Sequence, residues 1–200
     1  MNRVVFFAAC AGMASVGAAQ NFSLSLVPSI SDIHQSQVFT VDVYGDADVG
    51  THMLGGALAL ESDGQCITDM QWNSAPWSAF NTDGGFAGDG DYNEIIFGQL
   101  IIPGVPPFDI PAPGSELGSL IGSFTVFLDQ AIGDTSITFQ LVEASPFSLE
   151  VIDVNTGETF QSSNGNLSLG SATITGIPTP GTIPIFAGLG LLASRRRRIR

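Results

Sequence analysis

Val38-Phe39-Thr40-Val41-Asp42-Val43-Tyr44 sets Phe39, Val41 and Val43 on one parity, with Thr40 and Asp42 between them. Ile137-Thr138-Phe139-Gln140-Leu141 alternates in the same way. Successive side chains of a strand point to opposite faces, so both stretches describe strands with one buried and one wetted face. The first extends back to Gln37, and the second spans residues 135–142. Working outward, residues 22–27, 54–61, 65–71, 94–101, 119–129, 147–154 and 167–175 also read as strands. Gly, Pro, Asn and Asp punctuate the intervals, and no helical period of any length occurs. Nine short antiparallel strands bury their apolar faces only against each other, which predicts an all-β, two-sheet sandwich or jelly roll. Asn155-Thr156-Gly157, within residues 153–160, predicts a hairpin turn. Residues 103–113 predict an extended surface loop, because the prolines there cannot donate ladder hydrogen bonds.

Charge narrows the function classes. The six basic residues are Arg3, Arg195, Arg196, Arg197, Arg198 and Arg200, and residues 4–194 contain no Lys or Arg. All nineteen acidic residues fall between Asp32 and Glu158. Lys/Arg salt bridges are therefore impossible within the body, whose self-repulsion favours solubility and is offset by bound cations or salt. Phosphate affinity comes largely from Lys and Arg, so the body is not a nucleic-acid binder. Of the two cysteines, Cys10 lies in the N-terminal apolar run, which leaves Cys66 in the body and no internal disulfide framework.

The two ends carry the clearest signals. Arg3, the apolar run Val4 to Val16 and the small residues Gly17-Ala18-Ala19 predict a signal peptide over residues 1–19, removed by signal peptidase. At the other end, Pro178-Thr179-Pro180-Gly181 precedes the apolar stretch Ile183 to Ala193, and the arginine cluster closes the chain. The prolines hold an extended segment that a protease can reach, and the arginines hold the tail on the cytoplasmic side. Eleven apolar residues are too few to cross a core of about 30 Å as a helix, so flanking residues contribute or the bilayer thins.

In that order, these parts of residues 177–200 resemble the PEP-CTERM sorting signal of Gram-negative bacteria, with Thr179 in place of the usual Glu. The resemblance implies recognition at Pro178, Thr179, Pro180 and Gly181 by an exosortase-like processing enzyme. It also implies a transient inner-membrane tether retained by the basic cluster. A permanent C-terminal membrane anchor is the competing reading. Both place the body outside the cytoplasm.

Between the ends, residues 20–176 form one domain. The runs Gln37 to Tyr44, Met53-Leu-Gly-Gly-Ala-Leu-Ala-Leu60, Ile121-Gly-Ser-Phe-Thr-Val126 and Thr135-Ser-Ile-Thr-Phe139 are similar to bacterial cohesin-like domains. That likeness implies a nine-stranded jelly roll used for protein docking or carbohydrate-associated assembly, and names no ligand.

Two constellations stand out within the body. Asp83, Asp89, Asp91, Asn93 and Glu94 offer hard oxygen ligands on a glycine-rich loop, the chemistry that suits calcium, or else form a solvated acidic loop. An EF-hand is excluded, since Glu94 occupies the position of its turn glycine and Leu100 that of its bidentate acid. Trp72, Trp77, Phe80, Phe86 and Tyr92 gather in the same region. Exposed, Trp72, Trp77 and Tyr92 would stack on sugar rings or anchor a partner; buried, they would fill the space between the sheets. His34 and His52 are the available general bases near neutral pH, and no nucleophile elbow or metal-binding His pair accompanies either. Acid pairs such as Asp89 and Asp91 could serve a glycosidase, but carboxylates are too plentiful here for any pair to be diagnostic.

The expectation is therefore a non-enzymatic, exported structural or adhesion protein of the cell surface or extracellular matrix, with surface proteins or surface polysaccharide as partners. A carbohydrate-binding module is the alternative, and a surface polysaccharide hydrolase the third reading.

Overall fold

The computed structural model describes residues 20–33, 37–64, 66–102, 104–128 and 136–177. Among them are thirteen strands, β1 (Asn21–Pro28), β2 (Asp32–Ile33), β3 (Val38–Ala47), β4 (His52–Ser62), β5 (Ile67–Ser74), β6 (Thr82–Asp83), β7 (Tyr92–Gly98), β8 (Ser119–Leu128), β9 (Ser136–Glu143), β10 (Glu150–Asp153), β11 (Glu158–Gln161), β12 (Asn166–Leu169) and β13 (Ser171–Gly176). A single 3₁₀ turn at Ser162–Asn164 is the one named helical element among the described residues.

Two sheets result. One has the order β12-β1-β3-β8-β5; the other runs β11-β10-β4-β9-β13-β2, with β7 on the opposite side of β4 and β6 beyond it. Pairing is antiparallel except at β1/β12 and β13/β2, which are parallel. The alternation seen in the sequence is realised as burial: Phe39, Val41 and Val43 from one sheet and Ile137, Phe139 and Leu141 from the other are all buried in a common core. Phe39 meets Phe139 across the gap between the sheets, ring centroids 6.1 Å apart in an edge-on arrangement. Fully burying a side chain of this size contributes about 1.5–3 kcal/mol, so the facing parities of β3 and β9 help to hold the sheets together.

The structure revises several strand boundaries. The stretch at residues 167–175 is two strands in different sheets, β12 and β13, joined at Gly170. Gly170 donates its N–H to Leu24 O at 2.7 Å in one sheet, and its carbonyl accepts the Leu141 N–H at 3.1 Å in the other. A Cβ there would lie 2.9 Å from both Leu24 O and the Ser25 Cα, so the crossing requires glycine. Residues 99–102 leave the ladder after Gly98, and residues 144–149 leave strand geometry, keeping one bond to β4 at Ala57, before β10 rejoins its ladder. The hairpin forms as expected, with Asp153 opposite Glu158 and Gly157 at φ 74°. The proline-rich loop lies on the surface but is wound rather than extended: Ile102 N–H reaches Phe108 O at 2.6 Å and Phe108 N–H reaches Val105 O at 2.8 Å.

Candidate functional site

The acidic loop lies between β6 and β7, and the carboxylates of Asp83, Asp89 and Asp91 each accept a backbone N–H. Asp83 Oδ1 accepts the Gly85 N–H at 2.9 Å and the Tyr92 hydroxyl at 2.6 Å. Asp89 Oδ1 accepts the Asp91 N–H at 3.2 Å, while Asp91 Oδ1 reaches away to the Ser62 N–H at 2.8 Å. Asn93 Nδ2 donates to Gly84 O and Gly85 O, and the backbone carbonyl of Glu94 accepts from Gly84. Among the described residues no three acidic, histidine or cysteine side chains gather as a metal cage requires. In this arrangement Asp83, Asp89, Asp91 and Asn93, four of the five residues expected to offer calcium oxygens, fasten the loop, and Glu94 takes part through its backbone carbonyl.

Nor is the aromatic group a ligand platform. Trp72, Trp77 and Tyr92 are 8%, 3% and 3% exposed and lie in the core. Trp72 and Tyr92 flank Phe124 with centroids 4.8 and 5.2 Å away, and Trp77 packs edge-on against Phe97 at 6.2 Å. Their polar atoms are satisfied internally, Trp72 Nε1 by Ser74 Oγ at 2.9 Å and Trp77 Nε1 by Leu120 O at 2.7 Å. Burial, reinforced by the hydrogen bond to Asp83, pushes the Tyr92 phenol well above its ordinary range. Of the two roles open to these residues the structure assigns the core one, and the stacking reading of Trp72, Trp77 and Tyr92 is corrected.

A different feature is concave and open. A groove of about 440 Å³ lies over β4 where it passes Gly55 and Gly56, bounded by the chain leaving β7 and by the bulge before β10. Its floor is low because Gly55 and Gly98 bring two backbones together; a Cβ on Gly55 would overlap Phe97 O. Phe80, Leu100 and Phe147 line it and are 56%, 45% and 53% exposed. The walls are fastened from behind. Phe80 N–H donates to Gly98 O at 2.9 Å, Gln99 N–H to Leu54 O at 2.8 Å, and Ala57 N–H to Phe147 O at 3.1 Å. Gln99 also clamps the proline-rich loop, its Nε2 on Met53 O at 2.7 Å and its Oε1 accepting the Ala112 N–H at 2.9 Å. Leu149, two residues from Phe147, is buried, and its N–H and C=O are both held by Ser162. Rigid walls with exposed apolar tips give a preformed surface for apolar groups, with Glu150 and Gln161 as polar markers at one side.

Sequence reasoning grouped Phe80 with the aromatics and missed Leu100, Phe147 and the groove. Gly55-Gly56 inside an apolar strand was the available signal, since paired glycines there mark a bulge or a close backbone approach. Pro178, Thr179, Pro180, Gly181, the cluster Arg195 to Arg200, the leader at residues 1–19 and His34 lie outside the described residues. His52 is described, its Nδ1 3.0 Å from Thr51 Oγ1. Among the described residues no helix is long and apolar enough to cross a membrane.

No protein-family model matches the chain, and a comparison with curated proteins finds no match. Among solved structures, the second type II cohesin module of the cellulosomal adaptor ScaA scaffoldin from Acetivibrio cellulolyticus is similar, with a TM-score of 0.50 and 10% identity over 80% of this chain and 98% of that one. The cohesin module of a family 33 glycoside hydrolase from Clostridium perfringens gives a TM-score of 0.48 and 12% identity over 80% of this chain and 98% of that one. The body is an all-β sandwich with a cohesin-like fold.

Proposed function

We propose that this chain is an exported structural or adhesion protein of the cell surface or extracellular matrix, whose sandwich docks another surface molecule through the apolar groove beside Gly55. The observation that carries the reading is the groove itself: large apolar side chains left in water around a fixed concave floor mark an association surface. The cohesin-like fold supports a binding module and the reading assigns no catalytic role to any residue. Arg3, the run Val4 to Val16 and the small residues after it support removal by signal peptidase. Pro178 to Gly181, the following apolar stretch and the arginines support sorting by an exosortase-type enzyme after a transient membrane tether.

The test replaces Phe80 and Phe147 together by serine in the native cells and follows the protein between surface, matrix and medium fractions. Intact mass with terminal peptide mapping is taken on each fraction. The expected result is loss of residues 1–19 and of those after about Pro178, with the double variant shifted from matrix to medium. An unchanged partition of the variant would sink the docking role. An intact arginine tail in the membrane fraction would replace sorting with permanent anchoring.

A further inference from the structure

We infer that the occupant of this groove is a polypeptide segment carrying large aliphatic or aromatic side chains next to lysine or arginine. The inference rests on the docking role proposed above and names the chemistry of the partner. Three observations select it. The exposed rim is mixed aromatic and aliphatic, Phe80 and Phe147 with Leu100, and the loop that Gln99 clamps also exposes Ile102, Val105, Phe108 and Ile110. Aliphatic side chains complement the side chains of a peptide better than the flat face of a sugar ring. Among the described residues that line the groove Glu150 is the ionisable one, and its Oε1 accepts the Gln161 Nε2–H at 3.4 Å. A carboxylate beside an apolar trough favours a cation there over an anion. Finally, residues 4–194 carry all nineteen acidic residues and no Lys or Arg, so the body surrounds the groove with net negative charge. A second copy of this body would bring the same uncompensated charge against it, which disfavours self-association and selects a basic partner.

The experiment pans a random-peptide display library against the mature protein isolated from its native cells, at physiological salt. Selected peptides are then synthesised and titrated against the wild type, Phe147→Ser, Phe80→Ser and Glu150→Gln. The expected winners combine Lys or Arg with Leu, Ile or Phe, and lose about tenfold or more in affinity with either serine variant. Glu150→Gln weakens them by about threefold and flattens their salt dependence. Since Phe80 and Phe147 are half-exposed, an unchanged melting temperature of each variant verifies that the loss is local.

Winners bound equally well by both serine variants would show attraction by charge alone, at another place, and overturn the inference. So would acidic winners, a glycan array whose signals require Phe147, or a dimer of the wild type that Phe147→Ser dissolves. Failure of the docking role reads differently. There, Phe147-dependent peptides are obtained but the matrix partition of the double variant does not change. Conversely, a Phe147-dependent partition with no Phe147-dependent peptide keeps the docking role and removes this occupant.

Discussion

The Tyr92 hydroxyl, reaching from one sheet, accepts the Trp72 N–H of the other at 3.1 Å while donating to Asp83 Oδ1 at 2.6 Å. Trp72 lies on β5, the last strand of its sheet, where an outward-facing N–H has no ladder partner. Asp69 Oδ1 covers the neighbouring Met70 N–H at 2.9 Å in the same way. An edge strand with open donors invites pairing with other chains, and these contacts close it.

Tyr92→Phe keeps the ring against Phe124 and removes only the oxygen. The buried Trp72 N–H then loses its acceptor, a change that costs about 1–3 kcal/mol. Urea unfolding of the variant should show a lower midpoint with an unchanged slope. An unchanged midpoint would mean that water replaces the phenol at the edge.

The same residue sets an alkaline limb. In the unfolded chain the phenol ionises near pH 10, whereas in the fold burial and the Asp83 hydrogen bond hold its proton to higher pH. Above about pH 10 the folded state therefore binds more protons than the unfolded one, and stability falls as pH rises. The wild type is expected to lose stability from about pH 10 upward, and Tyr92→Phe to lose less over the same range. Parallel curves for the two proteins would contradict the assignment.

Gly170 offers a second strict test. Its two backbone hydrogen bonds join the sheets, and Leu24 O, Ser25 Cα and Leu26 N stand where a side chain would begin. These are backbone atoms of β1, which is paired on both sides, and cannot swing aside. Gly170→Ala is expected to cost about 1–3 kcal/mol by overpacking, read as a fall in melting temperature. Gly104→Ala is a poor control because its φ is 77°; Ala59→Gly, on the half-exposed face of β4, gives the comparison for a simple backbone change.

How far the chain can be read before folding follows from these residues. The parity of Phe39, Val41 and Val43 is enough to fix which face of β3 is buried, because a strand has only two faces. The sheet crossing at Gly170 was also written in the pattern: Leu167 and Leu169 fall on odd positions, Ala172 and Ile174 on even ones. A phase change across a glycine is what a switch of sheets demands. Burial of Trp72 and Tyr92 could not be read, since an aromatic beside acidic residues fits a core and a binding platform equally. The groove was illegible for a related reason. Phe147 and Leu149 share a parity, but residues 144–149 leave strand geometry, so the two-residue rule that separates faces no longer applies.

Salt should stabilise the body strongly. With no Lys or Arg between residues 4 and 194, added ions screen repulsion without breaking any Lys/Arg salt bridge there. Raising ionic strength from about 0.01 to about 0.15 M is expected to raise the melting temperature, with sodium and potassium equivalent. Because Asp83, Asp89 and Asp91 each point at a different backbone donor, calcium should add no more than magnesium at equal concentration. A calcium-specific rise in calorimetry would show that the loop rearranges to bring its oxygens together.

Phe147 and Leu149 provide the sharpest separation of docking from folding, because they lie two residues apart on one bulge. Phe147 is 53% exposed and Leu149 3%. The Leu149 side chain closes against Gly56, with Cδ1 3.3 Å from where a Cβ on that glycine would sit, so truncating it opens a cavity over the floor of the groove. Leu149→Ala is therefore expected to cost about 2–5 kcal/mol, since both the transfer free energy and the cavity count against it. Phe147→Ser removes a side chain already half in water, and its backbone carbonyl keeps the bond to Ala57 N–H. Its effect on unfolding should stay within about 0.5 kcal/mol, while matrix retention falls. Chemical denaturation and cell fractionation on the two single variants give the two readouts side by side. If Phe147→Ser proves as destabilising as Leu149→Ala, the exposed ring is a structural brace and the groove loses its claim to be a docking surface. If it leaves both stability and retention unchanged, the groove is surface without a partner in that cell.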